Sequence, residues 1–392
     1  MFAYMLATLV VFAFAGTVLM LPAFRSDLAD FSDEHSSEGV TPEEAEALVA
    51  DMSVVIPARN EEETIPTLLE SLEAQTVAPR EIIVVDDQSE DRTATVAARG
   101  SSRVVEAGER PTGWLGKPWA LHRGASLARG SYLLFLDADV KLRRTALVAL
   151  ARALLALSRD EQSAVSALSV QPYHRTERPW ERLSLLFNIL VFIGSARRSR
   201  GLRFSMEESC CFGPCILCER SAYDRLGGHG AVSTSVLDDV QLGSEFRETG
   251  GRVRSFSGRG IVEFRMYPSG VRALLDGFTK NVLLGARRAN IVFRVFAVLW
   301  FTGLLAVPPF IGYAAVLGRL PEFVVATVFY TFFVIQIAAA GERLGNFGPL
   351  PALFFPIHLS VFLLVLLRAA ALAVVGRNVQ WKGRRLDPES RT

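Results

Sequence analysis

The sequence predicts an α/β domain with a mostly parallel sheet, joined to apolar helices that are long enough to cross a membrane. Two observations support this. Short β-branched runs alternate with helix-like stretches through the middle of the chain, a pattern typical of parallel sheets covered by helices. Half of the 392 residues are hydrophobic, and the longest apolar runs stand at the two ends. A chain of this length is expected to contain more than one region.

The first apolar block, residues 1–24, carries no charge and is long enough to cross a bilayer as one helix. A cleaved signal peptide is the alternative, because "AFA" resembles a cleavage site. However, the block has no positive n-region and continues well past that site. We therefore expect an uncleaved membrane anchor.

Three further apolar blocks, residues 291–317, 321–340 and 351–376, follow near the C-terminus. Each has roughly the 20 apolar residues that a spanning helix needs. The Pro308-Pro309 pair is expected to kink or break the first of these blocks.

Positive charges beside the apolar blocks predict the orientation of the chain in the membrane. Arg25, Arg287 and Arg288 place the long central region in the cytoplasm, so we expect a multi-pass protein of the cell membrane. Three full crossings would leave the basic tail, residues 377–392, outside the cell, against its charge. One block is therefore re-entrant or interfacial, or is split in two at the proline pair.

The central region divides into an acidic linker with a short helix, residues 25–50, and a domain at residues 51–270. The predicted strands of this domain are "MSVVIPARN", "EIIVVDD", "SRVVEAG" and "SYLLFLDADV", in that order. Helical apolar spacing in "EEETIPTLLESLEAQ", and the helix-like stretches "TATVAARG" and "KPWALHRGASLARG", separate them. This order of elements predicts the parallel sheet.

Acidic residues stand at the ends of two of these strands, as Asp86-Asp87 and as Asp137 with Asp139. Such residues often cap helices or form turns, but ligands of open α/β sheets gather at the carboxyl ends of the strands. In an extended strand Asp137 and Asp139 share one face. Two carboxylates on one face suit a divalent cation that also binds substrate phosphates. The alternative of a P-loop has no support, because no Walker-type glycine loop is present.

Charge and cysteine content exclude other classes. The net charge of +1 predicts no nucleic-acid partner. Cys215 and Cys218 have the CxxC spacing of zinc or redox sites, but a structural zinc site would need a second ligand pair. We expect "CFGPCILCER" to be a buried strand with free thiols.

Five segments between residues 52 and 270 resemble, in order, the family 2 inverting glycosyltransferases with the GT-A fold. They are "VVIPARNEEETI", "IIVVDDQSEDRT", "GWLGKPWALHRGASLARGSYLLFLDADV", "CFGPCILCERSAYDRLGGHGAV" and "VLDDVQLGSEFRETGGRV". Within the family, "GWLGKPWAL", "FRMYPSG" and "VQWKGRR" look most like the membrane enzymes of carotenoid and hopanoid pathways. The polymerase motif QxxRW is absent, so a single transfer is expected.

The resemblance implies sugar transfer from a nucleotide sugar, with uridine the expected base, to a membrane lipid such as a carotenoid, hopanoid or polyprenyl phosphate. It makes Asp239 the general base, Asp139 the direct ligand of Mg²⁺ or Mn²⁺ with Asp137 beside it, and Asp87 the base contact. The pair Asp238-Asp239 stands where the family usually has Glu-Asp. The remaining implied donor-site residues are Pro57, Arg59, Asn60, Glu61 and Lys117, with Asp137 also contacting the donor. The implied acceptor-side residues are Gly213, Pro214 and Asp238.

Two amphipathic tracts could lie against lipid. One is residues 178–198, for which a buried core helix is the alternative, and the other is residues 271–290. Trp114 and Trp119 are expected to be packing residues. Two other functions stay open, a glycolipid or exopolysaccharide synthase and a membrane transporter with a nucleotide-sensing domain. The apolar blocks contain few charges, which disfavours transport.

Overall fold

The computed structural model describes most of the chain. The described residues are 2–20, 27–32, 39–159, 165–195, 197–198, 204–205, 211–285, 291–375, 379–381 and 384–386. Arg25, Arg287, Arg288, Cys210 and most of the predicted basic tail lie outside them. The described residues form two compact units. One comprises those of Met1–Arg25, His174–Ser205 and Met266–Pro388, and the other those of Ser26–Tyr173, Met206–Arg265 and Glu389–Thr392.

The second unit is the α/β domain. Its strands are β1 (Met52–Ala58), β2 (Glu81–Asp86), β3 (Arg103–Glu106), β4 (Tyr132–Leu136), β5 (Val140–Leu142), β6 (Val165–Gln171), β10 (Cys215–Glu219), β11 (Arg252–Ser257) and β12 (Val262–Phe264). Three two-residue strands lie between β6 and β10 in the chain: β7 (Tyr173–His174), β8 (Arg197–Arg198) and β9 (Phe204–Ser205). Seven strands form one sheet in the order β11-β6-β10-β4-β1-β2-β3. Only β10 runs antiparallel to its neighbours in this sheet, so the predicted mostly parallel sheet is confirmed.

Helices cover the sheet. They are α2 (Pro42–Ala50), α3 (Ile65–Glu73), α4 (Thr93–Ala97), α5 (Gly116–Leu127), α6 (Ala146–Ser158), α8 (Arg220–Arg225) and α9 (Asp238–Glu248). The predicted strands β1, β2 and β4 form because their apolar runs are buried on both faces, whereas β3, at the edge of the sheet, is only partly buried. The short helix expected in the acidic linker is α2, which begins at a capping box formed by Thr41 and Glu44.

The other unit is helical. It contains α1 (Phe2–Met20), α7 (Leu185–Ser195), α10 (Val271–Gly285), α11 (Ile291–Val316), α12 (Leu320–Leu344), α13 (Pro349–Leu353) and α14 (Phe355–Val375), followed by β13 (Val379–Trp381) and β14 (Arg384–Leu386), which pair as a hairpin. Among the described residues, three helices are long and apolar enough to cross a membrane: α11, α12 and α14 over Phe355–Ala373.

The proline pair does not break the first C-terminal block. Helix α11 runs without interruption from Ile291 to Val316 with Pro308 and Pro309 inside it, so the predicted break, and the split of this block in two, are wrong. The third block does divide, into the short α13 and the long α14. Two successive prolines remove two backbone N–H donors. In an apolar helix of this length the other backbone N–H and C=O groups still bond best within the helix, so the helix continues past the pair.

Within the predicted domain at residues 51–270, the described residues of 174–205 and 266–270 cluster with the helical unit. Within residues 178–198, a 3-10 turn at Pro179–Ser184 leads into α7. Most side chains of α7 are buried, with Val191 exposed, which fits the core-helix alternative. An eleven-residue segment that is apolar almost all round requires other helices around it.

Aromatic side chains fill the core between these helices. Phe187 of α7 stacks on Phe278 of α10 at 4.1 Å between ring centroids and contacts Phe362 of α14 at 4.9 Å. Phe362 in turn stacks on Phe301 of α11 at 4.6 Å. Helix α10 therefore packs one face on protein, while Val271 at its start is exposed; its predicted contact with lipid stays a prediction.

Candidate active site

The acidic pair after β4 lies in a turn. Strand β4 ends at Leu136, and the amide of Val140 donates to the carbonyl of Asp137 at 3.2 Å. The expectation that Asp137 and Asp139 share one face of an extended strand is therefore wrong, because the strand stops before the first aspartate. Both side chains are half-buried. The turn is fixed from the other side by the Asp137 amide, which donates to Pro214 at 3.0 Å.

Lys117 lies in the first turn of α5 and pairs with Asp137, at 2.7 Å between Nζ and Oδ1. The side chains are 39% and 27% exposed, so water screens part of the attraction. Burial alone would lower the pKa of Lys117. The negative charges of Asp137, Asp238 and Asp239 outweigh this effect, so the pKa is raised above its usual value. Lys117 thus stays a cation in the middle of three acids.

Asp238 and Asp239 form the first turn of α9, where the helix dipole favours negative charge. Asp238 is 7% exposed. Burial raises its pKa to about 6, with Lys117 opposing and Asp239 and Asp137 adding to the rise. The two neighbours differ in environment, since Asp239 is less buried than Asp238.

Gly213 fixes the position of Asp239. Its amide donates to Oδ2 at 2.8 Å, while the Val240 amide donates to Oδ1 at 2.8 Å. A Cβ at position 213 would meet Oδ2 at 3.0 Å and Cβ of Asp239 at 3.2 Å, so glycine allows this close approach. Gly213 and Pro214 therefore connect the Asp239 carboxylate to the turn that holds Asp137.

The donor-site residues of the first segment lie at the ends of β1 and β2. Pro57 is paired with Val85 in the sheet, and Arg59 stands 4.0 Å from Glu90. Asp87 is 7% exposed, and its amide donates to Ala58 at 2.9 Å. Since β4, β1 and β2 are parallel neighbours, the polar groups that follow them stand along the same edge of the sheet.

Asn60 and Glu61 are held by the loop that follows β2. Their backbone amides donate to Ser89 Oγ at 3.1 Å and to Thr93 Oγ1 at 2.8 Å. Sequence reasoning missed Ser89 and Thr93. The polar run "SEDRT" was the available signal, but residue type alone does not show which loop these side chains bond.

A buried pair beneath the site was also missed. The Tyr223 hydroxyl lies 2.8 Å from His229 Nδ1 and accepts from the His229 amide at 3.0 Å. Burial lowers the pKa of His229 to about 3, and Lys117 and His122 add to this, so the imidazole is neutral. The signal was the "GGHG" run, in which Gly227 and Gly228 have positive φ.

Trp114 and Trp119 contact each other edge to face at 5.2 Å and both approach His122. Trp119 also packs against the core of the α/β domain, which agrees with the expected packing role. The Leu115 amide donates to Ser233 at 2.8 Å, so this aromatic segment is tied to the loop that precedes α9.

The three described cysteines are buried thiols. None of Cys211, Cys215 and Cys218 forms a disulfide, and burial raises the pKa of both Cys215 and Cys218. In the part of the chain that the structure describes, no group of three or more His, Cys, Asp and Glu side chains could hold a metal ion. The expected buried strand is β10.

The acidic site nevertheless has the donor chemistry of a Mg²⁺ or Mn²⁺ site that is completed by substrate. Asp137 and Asp139 offer only hard carboxylate oxygens, and such ions are bound through one or two carboxylates plus substrate phosphates. The negative charges of Asp137, Asp238 and Asp239 all act on the single ammonium group of Lys117, which contacts Asp137 directly. The excess negative charge favours a cation.

Comparison with known proteins supports the fold and the family. The sequence model described as "Glycosyl transferase family 2" matches residues 53–227. The chain aligns with a mannosyltransferase from Pyrobaculum calidifontis, solved in complex with GDP-mannose and Mn²⁺, over 94% of its length and 98% of that chain, with 18% identity and a TM-score of 0.50. The fold is thus that of a GT-A glycosyltransferase.

Sequence relatives identify the family. The chain is 33% identical to the 4,4'-diaponeurosporenoate glycosyltransferase of Staphylococcus haemolyticus over 86% of this chain and 88% of the relative. It is 31% identical to the protein of the same name from Staphylococcus aureus strain MRSA252, over 85% and 87%. The chain therefore belongs to glycosyl transferase family 2.

Proposed function

We propose that the protein transfers a sugar, with inversion, from a nucleotide sugar to a membrane lipid at the cytoplasmic face of the cell membrane. The observation that carries the proposal is the cluster in which Lys117, Asp137 and the Asp238-Asp239 pair meet around the Gly213-Pro214 segment. Family membership supports the sugar transfer. The names of the two relatives support an extended isoprenoid acceptor.

In this proposal Asp139 and Asp137 hold Mg²⁺ or Mn²⁺, which when bound offsets the negative charge of the departing diphosphate. The mannosyltransferase with the same fold was solved in complex with both GDP-mannose and Mn²⁺. Arg59, Glu61 and Asp87, with Pro57 and Asn60 beside them, form the donor end at the edge of β1 and β2. A uridine nucleotide is our expected donor.

Lys117 keeps the Asp137 carboxylate in place through their 2.7 Å contact. Because its cation also stabilises the charges of Asp238 and Asp239, Lys117 electrostatically couples the donor side to the acceptor side. Gly213 and Pro214 connect the same two sides through the backbone. The arrangement is suited to holding a donor and an acceptor in one orientation.

Asp239 acts as the general base in this proposal. The Gly213 and Val240 amides hold its two oxygens, so that a carboxylate lone pair can take the proton of an acceptor hydroxyl as the oxygen attacks the sugar carbon. Nucleoside diphosphate leaves from the opposite face of that carbon, which inverts its configuration. An acceptor carboxylic acid is already ionised near pH 7 and needs no such base.

The proposed membrane arrangement places α1, α11, α12 and α14 in the bilayer, with α1 as the N-terminal anchor, one of the three C-terminal helices re-entrant or interfacial, and α10 at the interface. Three of these helices have the length and apolar composition to cross it. Many of their large side chains are exposed, including Val298, Val316 and Leu367, and a lipid environment would cover such surface.

The experiment uses membranes that contain the full chain, supplied with radiolabelled UDP-sugars or GDP-sugars and an extract of polyisoprenoid lipids. We expect label to enter the lipid fraction together with release of nucleoside diphosphate. Chelation by EDTA should stop both, and Mg²⁺ or Mn²⁺ should restore them. Absence of diphosphate release with every donor would contradict transfer and favour a sensing domain. Long polymeric products would favour a synthase.

A further inference from the structure

Two loops at the donor end of the sheet are bonded to each other through Asn60. Its amide donates to Ser89 Oγ at 3.1 Å, and its side-chain Oδ1 accepts from the Glu90 amide at 2.8 Å. Ser89 is held in turn, because its own amide donates to Asp86 Oδ2 at 3.2 Å. The carboxamide and backbone of one residue therefore connect the loop after β1 with the loop after β2.

The neighbouring residues extend this connection. The Glu61 amide donates to Thr93 Oγ1 at 2.8 Å, and the Glu62 amide donates to Asp91 Oδ2 at 3.2 Å. In the reverse direction the Arg92 amide donates to Glu62 Oε2 at 3.1 Å. Three successive amides of the first loop are thus satisfied by side chains of the second.

The backbone at this connection has an uncommon conformation. Asn60 has a φ of 53° and Gln88 a φ of 59°, both in the left-handed region that costs most residues free energy. Asparagine tolerates this region better than most residues because its short side chain bonds locally. The bonds to Ser89 and Glu90 account for the stability of the conformation.

The pocket beside the two loops does not fit a phosphate. Asn60, Glu61, Glu62, Glu63, Thr64 and Asp91 line a volume of about 270 Å³. Three of its four acidic side chains are bonded within the loops: Glu61 accepts from the Thr64 hydroxyl at 2.7 Å, Glu62 from the Arg92 amide at 3.1 Å, and Asp91 from the Glu62 amide at 3.2 Å. Because acids line this pocket, it would repel a phosphate, and its hydrogen bonds serve to join the two loops. We expect the diphosphate to bind near the cation of Lys117 instead.

We propose that Asn60 is a positioning residue that fixes the loops carrying Arg59 and Asp87 before the nucleotide sugar arrives. This assigns Asn60 a role different from the direct donor contact that the family resemblance implies. The inference rests on the proposed function, because Arg59 and Asp87 are donor contacts only in a nucleotide-sugar enzyme. Ser89 is the partner through which Asn60 acts.

The test compares three substitutions of Asn60 that separate its two contributions. Asn60→Gly permits the positive φ but removes the carboxamide, Asn60→Ala removes both, and Asn60→Asp keeps an oxygen acceptor and some tolerance of positive φ. The KM for the donor should rise about threefold to tenfold in Asn60→Gly and about tenfold or more in Asn60→Ala. Asn60→Asp should stay closest to wild type, and kcat at saturating donor should change little.

Two further measurements separate positioning from other roles. Ser89→Ala should raise the donor KM as Asn60→Gly does, while Glu70→Gln, on the exposed face of α3, should leave it unchanged. Hydrogen–deuterium exchange of the full chain in detergent should be faster at residues 87–93 in Asn60→Ala, without ligand. This readout holds even where no transfer is detected.

Three results would overturn the inference. Unchanged exchange at residues 87–93 would show that Asn60 does not hold the second loop. A donor KM that rises in Asn60→Asp as much as in Asn60→Ala would indicate a direct contact through the side-chain NH₂. A fall in kcat and melting temperature with unchanged donor KM would indicate a role in stability alone. If wild type releases no nucleoside diphosphate while the exchange changes as expected, the proposed function fails and the loop connection stands.

Discussion

The α/β domain and the helical unit both bury polar side chains, but they partner them differently. At the candidate active site, Lys117 contacts Asp137, and the charges of Asp238 and Asp239 also act on it, so three carboxylates share one ammonium group. In the helical unit, Gln336 is neutral and fully engaged. Its Nε2 donates to Ala13 at 3.0 Å and to Thr17 Oγ1 at 2.9 Å, and its Oε1 accepts from Trp300 at 3.2 Å.

The difference between a charged cluster and a neutral, fully hydrogen-bonded amide is the one expected between a ligand-binding site and a contact that joins helices. An unbalanced charge cluster remains costly until a cation or substrate compensates it, so it is suited to binding. A neutral amide whose hydrogen bonds are all made within the protein offers a ligand little. Substitutions in the two units should therefore differ in what they change, catalysis in one and helix packing in the other.

The largest expected effect is that of Asp239→Asn on catalysis. With an acceptor that carries a hydroxyl, kcat should fall by about 10²–10⁴, because amide nitrogen and oxygen cannot take the proton. With an acceptor carboxylic acid, which is already ionised, the loss should be much smaller. Steady-state kinetics with both kinds of acceptor measure this. The control is Asp224→Asn, which changes an exposed aspartate of α8. If Asp239→Asn kept the wild-type kcat with a hydroxyl acceptor, Asp239 would not be the general base.

The largest effect in the helical unit is expected at Gly16 of α1. A Cβ there would meet Trp300 Cδ1 at 2.4 Å and Gln336 Oε1 at 2.7 Å. Gly16→Val should therefore separate α1 from α11 and α12 at a cost of about 1–3 kcal/mol, seen as a lower melting temperature of the full chain in detergent. Gly312→Val is matched, because nothing lies within 4 Å of that Cβ. Equal effects of the two variants would show that α1 does not pack as described.

A smaller effect, dependent on pH, is expected from Asp238→Asn. Burial raises the pKa of Asp238 to about 6, whereas an unfolded aspartate titrates near 3.9. The folded protein therefore binds this proton more tightly, and its stability falls as the pH rises from about 4 through about 6. Asp238→Asn should remove that fall and add at most about 3 kcal/mol at pH 7.

Melting temperatures at pH 4.5 and 7, in detergent with a chelator present, measure this prediction. About 1 kcal/mol corresponds to roughly 2–4 °C in a domain of this size. Glu248→Gln, an exposed carboxylate at the end of the same helix, should keep the wild-type pH dependence. A destabilised Asp238→Asn at pH 7 would instead mean that the charged form makes contacts that outweigh its burial.

The fold was predictable where local pattern decides structure. The runs that begin at Met52 and Glu81 became β1 and β2 because β-branched segments of that length are stable when buried. The place of β10 was not predictable, since an apolar run such as "CILCE" fits a parallel or an antiparallel neighbour equally well. The grouping of α7 with the C-terminal helices was hidden for a similar reason, because it depends on partners distant in sequence.

The site was predictable in its residue types and less so in its contacts. Acids at the ends of β2 and β4 pointed to the edge at which open α/β sheets generally bind their ligands. The pairing of Lys117 with Asp137, and the bond from Gly213 to Asp239, depend on the order of strands and not on spacing along the chain. The expectation that Asp137 and Asp139 share one face of a strand failed, because the strand ends with its apolar run at Leu136 and a turn begins there.

The smallest expected effect is that of Gln336→Leu, which sharpens the comparison between the units. Hydrogen bonds between membrane helices contribute about 0.6 kcal/mol on average, so the loss should lower the melting temperature of the full chain only slightly. Thr327→Val is the control on the same helix, because its exposed hydroxyl bonds only to Phe323 of its own helix. A double-mutant cycle with Thr17→Val isolates the contact between α12 and α1. A coupling energy of about 0.6 kcal/mol between Gln336 and Thr17, with an unchanged donor KM, would show that Gln336 serves to join helices. A large rise in the donor KM would show instead that the helical unit contributes to donor binding.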